Sequence, residues 1–153
     1  MSATLDQLLS VIRQYWGYDT LRPLQREAMT AALERRDTLV VLPTGGGKSL
    51  CYQAPALLSD ALTVVVSPLI ALMKDQVDRL LARNIPAAFL NSSLDADDRR
   101  RVAAGLAKRA YRLLFVAPER FTDAFYGHIA RANVGTFAID EARWDLLPKL
   151  EAA

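Results

Sequence analysis

The segment Pro43-Thr44-Gly45-Gly46-Gly47-Lys48-Ser49 contains the residues whose types and spacing most clearly permit chemistry. An apolar run precedes it and a helical pattern follows it, which predicts a strand, a glycine turn and a helix. Glycines let backbone N–H groups surround a phosphate, and the helix N-terminus adds partial positive charge. In such a loop the lysine reaches the β- and γ-phosphates of a nucleotide and the serine hydroxyl binds Mg²⁺. The predicted phosphate-binding residues are Thr44, Gly45, Gly46, Gly47, Lys48 and Ser49.

The bland alternative for this segment is a flexible glycine turn before an ordinary helix. Three glycines followed directly by Lys-Ser argue against that alternative. The generic phosphate-loop pattern has glycine at the position that Leu42 occupies here. The departure is unusual for small GTPases and nucleotide kinases and resembles the first motif of helicases.

A second candidate group is the carboxylate pair Asp140-Glu141, which ends the apolar run Thr136–Ile139. An aspartate at the carboxyl end of a parallel strand lies at the sheet edge where α/β proteins bind ligands. There Asp140 can hold Mg²⁺, directly or through water, and Glu141 can orient and deprotonate an attacking water. The alternative is an acidic pair that caps the segment after the strand.

Alternating strand and helix patterns connect these two groups. Short apolar or β-branched runs predict strands at Thr38–Leu42, Leu62–Val66, Ala87–Leu90, Arg112–Val116 and Val134–Ile139. Helical spacing predicts helices at Leu5–Trp16, Arg22–Arg35 with Pro23 in its first turn, Lys48–Leu58, Leu69–Arg83, Asp95–Ala107 and Asp123–Ala130. This order predicts an α/β fold with a mostly parallel sheet and helices on both faces.

The bulk composition is that of one globular domain. Of 153 residues, 52% are hydrophobic and 24% are charged, which excludes disorder, and no apolar run is long enough to span a bilayer. The single cysteine excludes an internal disulfide and favours a reducing compartment, and the single histidine argues against a zinc site. A net charge of +2 does not by itself indicate nucleic-acid binding. The N-terminus shows no signal-peptide pattern.

Taken together, the motifs resemble those of the RecQ family of superfamily 2 helicases, whose motor domain is a RecA-like P-loop fold. Trp16-Gly17-Tyr18-Asp19-Thr20-Leu21-Arg22-Pro23-Leu24-Gln25 resembles the adenine-recognition motif of that family. The resemblance implies that Tyr18 stacks on the base and that Arg22 and Gln25 contact its edge. Without this context the same residues indicate a helix cap and a surface polar pair.

Three further motifs resemble the DNA-facing motifs of the family. They are Val66-Ser67-Pro68-Leu69-Ile70-Ala71-Leu72-Met73-Lys74, Leu90-Asn91-Ser92-Ser93 and Val116-Ala117-Pro118-Glu119-Arg120-Phe121. The resemblance implies DNA contacts by Ser67, Pro68, Lys74, Asn91, Ser92 and Arg120. It also implies ATP and Mg²⁺ as cofactors and DNA, single-stranded or forked, as the partner, which we expect this chain alone to bind weakly if at all.

Other polar features have plainer interpretations. The charged run at 97–101 and the pair at 108–109 predict a solvated helix face rather than a DNA track. We expect Cys51 to be a small core residue, Trp16 a core anchor and His128 a surface residue without a chemical role.

The sequence departs from the family after Glu141. Arg143 stands where the family has histidine, and arginine cannot take a neutral role. We therefore divide the chain into residues 1–36 with the adenine motif, an incomplete RecA-like motor domain 1 at 37–143, and a divergent tail at 144–153. The third family motif is absent, so its strand is missing between the phosphate-loop and Asp-Glu strands, which predicts an open gap or a closed sheet there.

The leading hypothesis is the ATP-binding motor domain of a RecQ-type DNA helicase, with 3'-5' unwinding implied by the resemblance. The chain has no second RecA-like domain to supply arginine fingers, so we expect it neither to unwind DNA alone nor to hydrolyse ATP quickly. Two alternatives are a non-catalytic nucleotide- or DNA-binding remnant and another P-loop NTPase. The exposed sheet edge permits self-association. We expect no membrane association and a cytoplasmic, nucleoid-associated location in a bacterium or a nuclear one in a eukaryote.

Overall fold

The computed structural model describes residues 4–43 and 47–141. The chain divides into two compact units, residues 1–60 and 61–153. No helix among the described residues is long and apolar enough to cross a membrane.

The first unit contains three helices, α1 (Leu5–Trp16), α2 (Gln25–Leu33) and α3 (Leu50–Ala56). Helix α1 begins at a capping box in which Thr4 and Gln7 satisfy each other's backbone N–H groups, and it ends at Gly17 in the left-handed conformation. The helices bury a shared apolar cluster, and Trp16 and Cys51 pack against it as predicted. The buried members are Leu8, Ile12, Met29, Leu50 and Ala54.

The start of α2 differs from the sequence prediction. Pro23 was expected in the first helical turn, but the helix begins two residues later, after Leu24 in the left-handed conformation at φ 68°. Arg22 precedes a proline, which disfavours the helical conformation for Arg22. The Arg22 N–H donates instead to Gln25 Oε1 at 2.8 Å, which closes a turn ahead of the helix.

The predicted strand at Thr38–Leu42 is wrong, because this segment forms no strand in the structure. A strand needs a hydrogen-bonded neighbour, and the segment is not part of the described sheet. Leu39 and Val41 leave 85% and 77% of their surface exposed, whereas Leu42 is buried. The apolar residues of this segment therefore have no sheet in which to be buried. Because the phosphate-loop strand does not form, the described residues show neither a gap between that strand and the Asp-Glu strand nor a sheet closed between them.

The second unit is an α/β sandwich built on four parallel strands in the order β2-β3-β1-β4. Its strands are β1 (Leu62–Val66), β2 (Ala87–Leu90), β3 (Leu113–Val116) and β4 (Val134–Ile139). Its helices are α4 (Ile70–Ala82), α5 (Ala96–Ala107) and α6 (Asp123–Ala130), with a short 3-10 turn at Pro118–Arg120. The predicted parallel α/β fold is confirmed, and these elements lie within one residue of their predicted bounds.

Both faces of this sheet are covered. One face packs against α5 and α6 through an apolar cluster that includes Val64, Leu114, Leu106 and Phe125. Alternate residues on the other face, such as Val65 and Phe115, are equally buried, and α4 packs beside β2. The sheet is therefore held rigidly at its centre, which fixes the positions of the strand ends.

Strand β4 is an edge strand that pairs with β1 only among the described strands. Its register to β1 shifts between Leu62 and Thr63, which is a bulge-like irregularity. Phe137 leaves 52% of its surface exposed. The strand itself contains neither a charged residue nor a proline, the devices that usually protect an edge.

Candidate functional site

The carboxyl ends of the four parallel strands lie at one edge of the sheet, and every candidate residue of the second unit except Lys74 follows one of those ends. Backbone hydrogen bonds continue the sheet past the strands. The Asp140 N–H donates to Val66 O at 2.9 Å, the Ser67 N–H to Val116 O at 3.1 Å, and the Ala117 N–H to Leu90 O at 3.0 Å. The segments after β1, β2, β3 and β4 are thus held side by side. Such an edge is where α/β proteins bind their ligands.

The predicted carboxylate pair lies directly after β4. Asp140 is half-buried and its backbone is fixed to β1, whereas Glu141 is exposed and adopts the left-handed conformation at φ 54°. Five other non-glycine residues of the described chain also have a positive φ, so this conformation marks a turn and does not by itself indicate a functional position. The two carboxylates follow the same strand end but differ in their exposure to solvent.

Ser67 forms the turn between β1 and α4 and is buried. Its hydroxyl oxygen accepts a hydrogen bond from the Leu69 N–H at 3.2 Å, so the side chain shapes the turn around Pro68. A hydroxyl that accepts one bond can still donate another. The Ser67 side chain therefore has a structural role in the turn, and a contact with a ligand would use the hydrogen that its hydroxyl can still donate.

Asn91 forms the turn after β2 and is only 1% exposed. Its Oδ1 accepts from the Ser93 N–H at 2.8 Å and from the Ser93 hydroxyl, and its Nδ2 donates to Met73 Sδ at 3.5 Å. The Asn91 side chain thus supports the turn instead of facing solvent. Ser92, the next residue, is exposed at the tip.

Arg120 lies in the 3-10 turn after β3 and is partly buried. Its guanidinium donates from Nη2 to the backbone oxygen of Asn91 at 3.3 Å. The Nε–H of the same group is buried and has no hydrogen-bond partner in the described part of the chain. The sequence predicted Arg120 and Asn91 as separate DNA contacts, and the structure joins them by this bond.

Lys74 lies on the exposed face of α4 and forms an ion pair with Asp78, one turn further along the helix, at 2.6 Å. The hydrogen bond and the charge of Asp78 raise the pKa of the Lys74 ammonium, so the residue stays positively charged at neutral pH. The charged run of α5 likewise forms solvent-exposed pairs, Asp97 with Arg100 and Asp98 with Arg101, which confirms the predicted solvated face. His128 is exposed on α6, as predicted.

In the first unit, Gln25 connects the predicted adenine motif to the end of the phosphate loop. The side chain is buried, its Oε1 accepts from the Arg22 N–H, and its Nε2 donates to Gly47 O at 3.0 Å. Gly47 has φ 79°, and a Cβ there would clash with Gln25 Nε2 and lie 3.3 Å from its Cδ. Only glycine fits this position, for reasons of both backbone conformation and space.

The remaining described nucleotide candidates of the first unit differ in exposure. Lys48 and Ser49 are partly buried and immediately precede α3, while Tyr18 and Arg22 are exposed, Tyr18 to 51%. Thr44, Gly45 and Gly46 lie outside the described residues, as does Arg143. Cys51 lies one turn after Gly47, and its Sγ contacts Gly47 O at 3.8 Å. Burial raises the pKa of the Cys51 thiol, which supports its interpretation as an unreactive residue.

Two hydrogen bonds of the candidate site were not predicted from the sequence: the bond from Gln25 to Gly47 and the bond from Arg120 to Asn91. Each joins residues far apart in sequence, 22 positions in the first case and 29 in the second. No local pattern in the sequence indicates either bond, because the partners lie far apart along the chain. Over residues 4–43 and 47–141, no group of three or more His, Cys, Asp or Glu side chains is placed to hold a metal ion.

Comparison with known proteins defines the class. The model of the DEAD/DEAH box helicase family matches residues 22–143. The chain therefore belongs to the DEAD/DEAH box helicase family. The predicted resemblance to RecQ-type helicases is confirmed by the sequence identity that the chain shares with helicases of that type.

Among these relatives, the ATP-dependent DNA helicase RecQ of Haemophilus influenzae is 50% identical over 135 residues, which are 88% of this chain and 22% of the relative. That of Bacillus subtilis is 43% identical over 140 residues, 90% of this chain and 24% of the relative. The chain thus spans less than a quarter of the length of these relatives. Among solved structures, the DUF1998 helicase MrfA bound to DNA superposes with a TM-score of 0.68 at 20% identity, over 85% of this chain and 20% of that one, which supports the fold.

Proposed function

We propose that this chain is the ATP-binding motor domain 1 of a RecQ-type DNA helicase, whose whole protein unwinds DNA in the 3'-5' direction. The observation that carries the proposal is the single sheet edge at which the segments of Ser67, Asn91, Arg120 and Asp140 lie side by side. A helicase motor must hold its nucleic-acid contacts and its catalytic carboxylates in fixed positions. Four strand ends fixed by one buried sheet can hold both groups of residues in this unit.

On the nucleotide side, the residues fit an ATP phosphate chain. Gly47 has the left-handed backbone that a phosphate loop needs, and it is followed by a lysine and a hydroxyl. We assign phosphate binding to Lys48 and to the glycine turn Thr44–Gly47, and Mg²⁺ binding to Ser49 and Asp140. A hydroxyl and a carboxylate are both oxygen ligands, the kind that Mg²⁺ prefers beside substrate phosphates. Bound Mg²⁺ would neutralise phosphate charge, and Glu141 would orient the attacking water.

For the base, we assign stacking to Tyr18 and edge contacts to Arg22 and Gln25. The exposed ring of Tyr18 supports the first assignment. Gln25 already makes two hydrogen bonds within the chain, so reading adenine requires it to exchange one of them for a bond to the base. The exchange would link base recognition to the backbone of Gly47.

On the nucleic-acid side, we assign DNA phosphate contacts to the turns that contain Ser67, Pro68, Asn91 and Ser92, together with Lys74, and we assign Arg120 to the same nucleic-acid side. Such contacts position a strand and carry no sequence information. In a RecQ-type helicase a second RecA-like domain supplies arginine fingers, so we expect neither unwinding nor fast hydrolysis from these 153 residues by themselves. The division at residues 36 and 143, the compartment and self-association through β4 stay predictions.

Competition between nucleotides tests the nucleotide half of this proposal. We expect a fluorescent ATP analogue with Mg²⁺ to bind the purified chain saturably, and unlabelled ATP to displace it at least about tenfold better than GTP, the value of one well-made polar contact. Removing Mg²⁺ with a chelator should weaken binding. Equal displacement by GTP would favour another P-loop NTPase, and no binding by the folded chain would contradict the proposal. Saturable ATP binding with negligible hydrolysis even beside a RecQ second domain would indicate a non-catalytic remnant.

A further inference from the structure

We propose that Arg120 is a positioning residue for single-stranded DNA, which it serves by holding the turn Asn91–Ser93 against the sheet edge rather than by touching a phosphate itself. This inference rests on the proposed function and assigns one residue of its nucleic-acid side a specific role. The guanidinium is directed to the backbone oxygen of Asn91 and is partly buried.

The surroundings of Asn91 show why the turn depends on this bond. The backbone oxygen of Asn91 accepts from the Leu94 N–H at 3.4 Å as well as from Arg120 at 3.3 Å. Its side chain orients Ser93 and contacts Met73 of α4. Asn91 is therefore hydrogen-bonded to the segment after β3, to its own turn and to α4. Of the two described donors to this oxygen, the Leu94 N–H and the Arg120 guanidinium, only the guanidinium is charged.

The unpaired Nε–H supports a functional reason for the arginine. Burying a guanidinium with one N–H left without an acceptor opposes folding, since the group loses its hydration. A side chain selected for stability alone would not carry that penalty. The position is better explained by the need to fix the turn that presents the exposed Ser92.

The exposed Ser92 gives the turn a neutral hydroxyl donor, whereas the Ser93 N–H and hydroxyl both donate to Asn91 Oδ1. Neutral donors can bind a phosphate oxygen without displacing a counterion, whereas a cation that contacts a phosphate adds to the salt dependence of binding. Positioning and direct contact by Arg120 therefore predict different salt slopes. For single strands, each phosphate neutralised by a cation contributes about 0.7 to the slope of log K against log salt concentration.

The test measures the affinity of the full chain for a labelled oligothymidine at several salt concentrations, with Arg120→Gln, Arg120→Lys and the control Arg101→Gln. Arg101 is an exposed, ion-paired arginine on α5. We expect both Arg120 variants to bind about tenfold more weakly with an unchanged salt slope, because lysine cannot replace a buried planar guanidinium. The control should bind like the parent chain.

Amide hydrogen exchange followed by NMR provides the readout that does not depend on DNA. In Arg120→Gln the Ser93 N–H should lose protection, while that of Leu8 in α1 should be unchanged. If Arg120→Gln does not fold, Arg120→Lys carries both measurements.

Three results would overturn the inference. A salt slope reduced by about 0.7 in Arg120→Gln and retained in Arg120→Lys, with Ser93 protection intact, would make Arg120 a direct phosphate ligand. Loss of Ser93 protection without any change in affinity would place the turn away from the DNA. Absence of oligothymidine binding by the parent chain would also remove the DNA half of the proposed function, whereas the nucleotide half is judged separately by the ATP competition.

Discussion

Lys48→Ala is expected to weaken binding of a fluorescent ATP analogue by about 10- to 100-fold, the loss of a charge-assisted hydrogen bond to phosphate. The lysine follows Gly47, whose carbonyl accepts a hydrogen bond from Gln25, so the backbone that carries the lysine is held in place. A titration of the purified chain in the presence of Mg²⁺ measures the effect. Because Lys48 is only partly buried, its removal should leave the urea unfolding midpoint close to that of the parent chain.

Lys108→Ala is the matched control, since Lys108 is an exposed lysine at the end of α5 in the second unit. It should bind the analogue with unchanged affinity. Equal affinities for the Lys48 variant and the parent chain would show that the analogue binds elsewhere, and the phosphate-loop assignment would then be wrong.

Gly47→Ala is expected to destabilise the chain by about 3 kcal/mol and to eliminate analogue binding. About 1 kcal/mol comes from placing a Cβ on a left-handed backbone, and the rest comes from overpacking against the buried Gln25 side chain. Urea denaturation gives the free energy of unfolding, and the analogue titration gives the second effect. Gln25 cannot simply move away, because it would leave two hydrogen bonds unmade.

Gly17→Ala separates these two contributions. Gly17 has a similar φ of 73°, but a Cβ there meets nothing within 4 Å, so this variant should lose only about 1 kcal/mol. In the double variant Gln25→Ala with Gly47→Ala, the two effects should be less than additive, because the contact that opposes the new methyl group is gone. Additive effects, or a Gly47 variant no less stable than the Gly17 variant, would show that the Gln25 contact is unimportant.

Much of the fold could be predicted from the sequence because its elements carry strong local signals. Strand β1 is a run of buried branched residues, and α4 shows one apolar stripe. Helix α1 begins at a recognisable capping residue, Thr4. For the site, the strand ends at Ser67 and Asp140 followed from the rule that parallel strands end at a common edge.

What local patterns could not predict was the outcome at Thr38–Leu42. Its alternation of apolar residues satisfies the strand pattern, but a strand exists only when another strand accepts its backbone hydrogen bonds. The prediction that Pro23 lies in the first helical turn was also wrong because of a hydrogen bond that the local pattern does not show. The bond between Arg22 and Gln25 favours a turn there. The exact roles of Asn91 and Arg120 were equally hidden, because a motif gives residue types and not the direction in which a side chain points.

One peptide group, formed by the carbonyl of Val66 and the N–H of Ser67, binds Asp140 on one side and Val116 on the other. A peptide group is planar and stiff, so it cannot tilt toward one neighbour without changing its bond to the other. In the proposed motor, Asp140 belongs to the metal side and Val116 leads to the turn that contains Arg120. If nucleotide binding changes the affinity for DNA through this group by some factor, DNA binding must change the affinity for nucleotide by the same factor. The coupling free energy is the same in both directions.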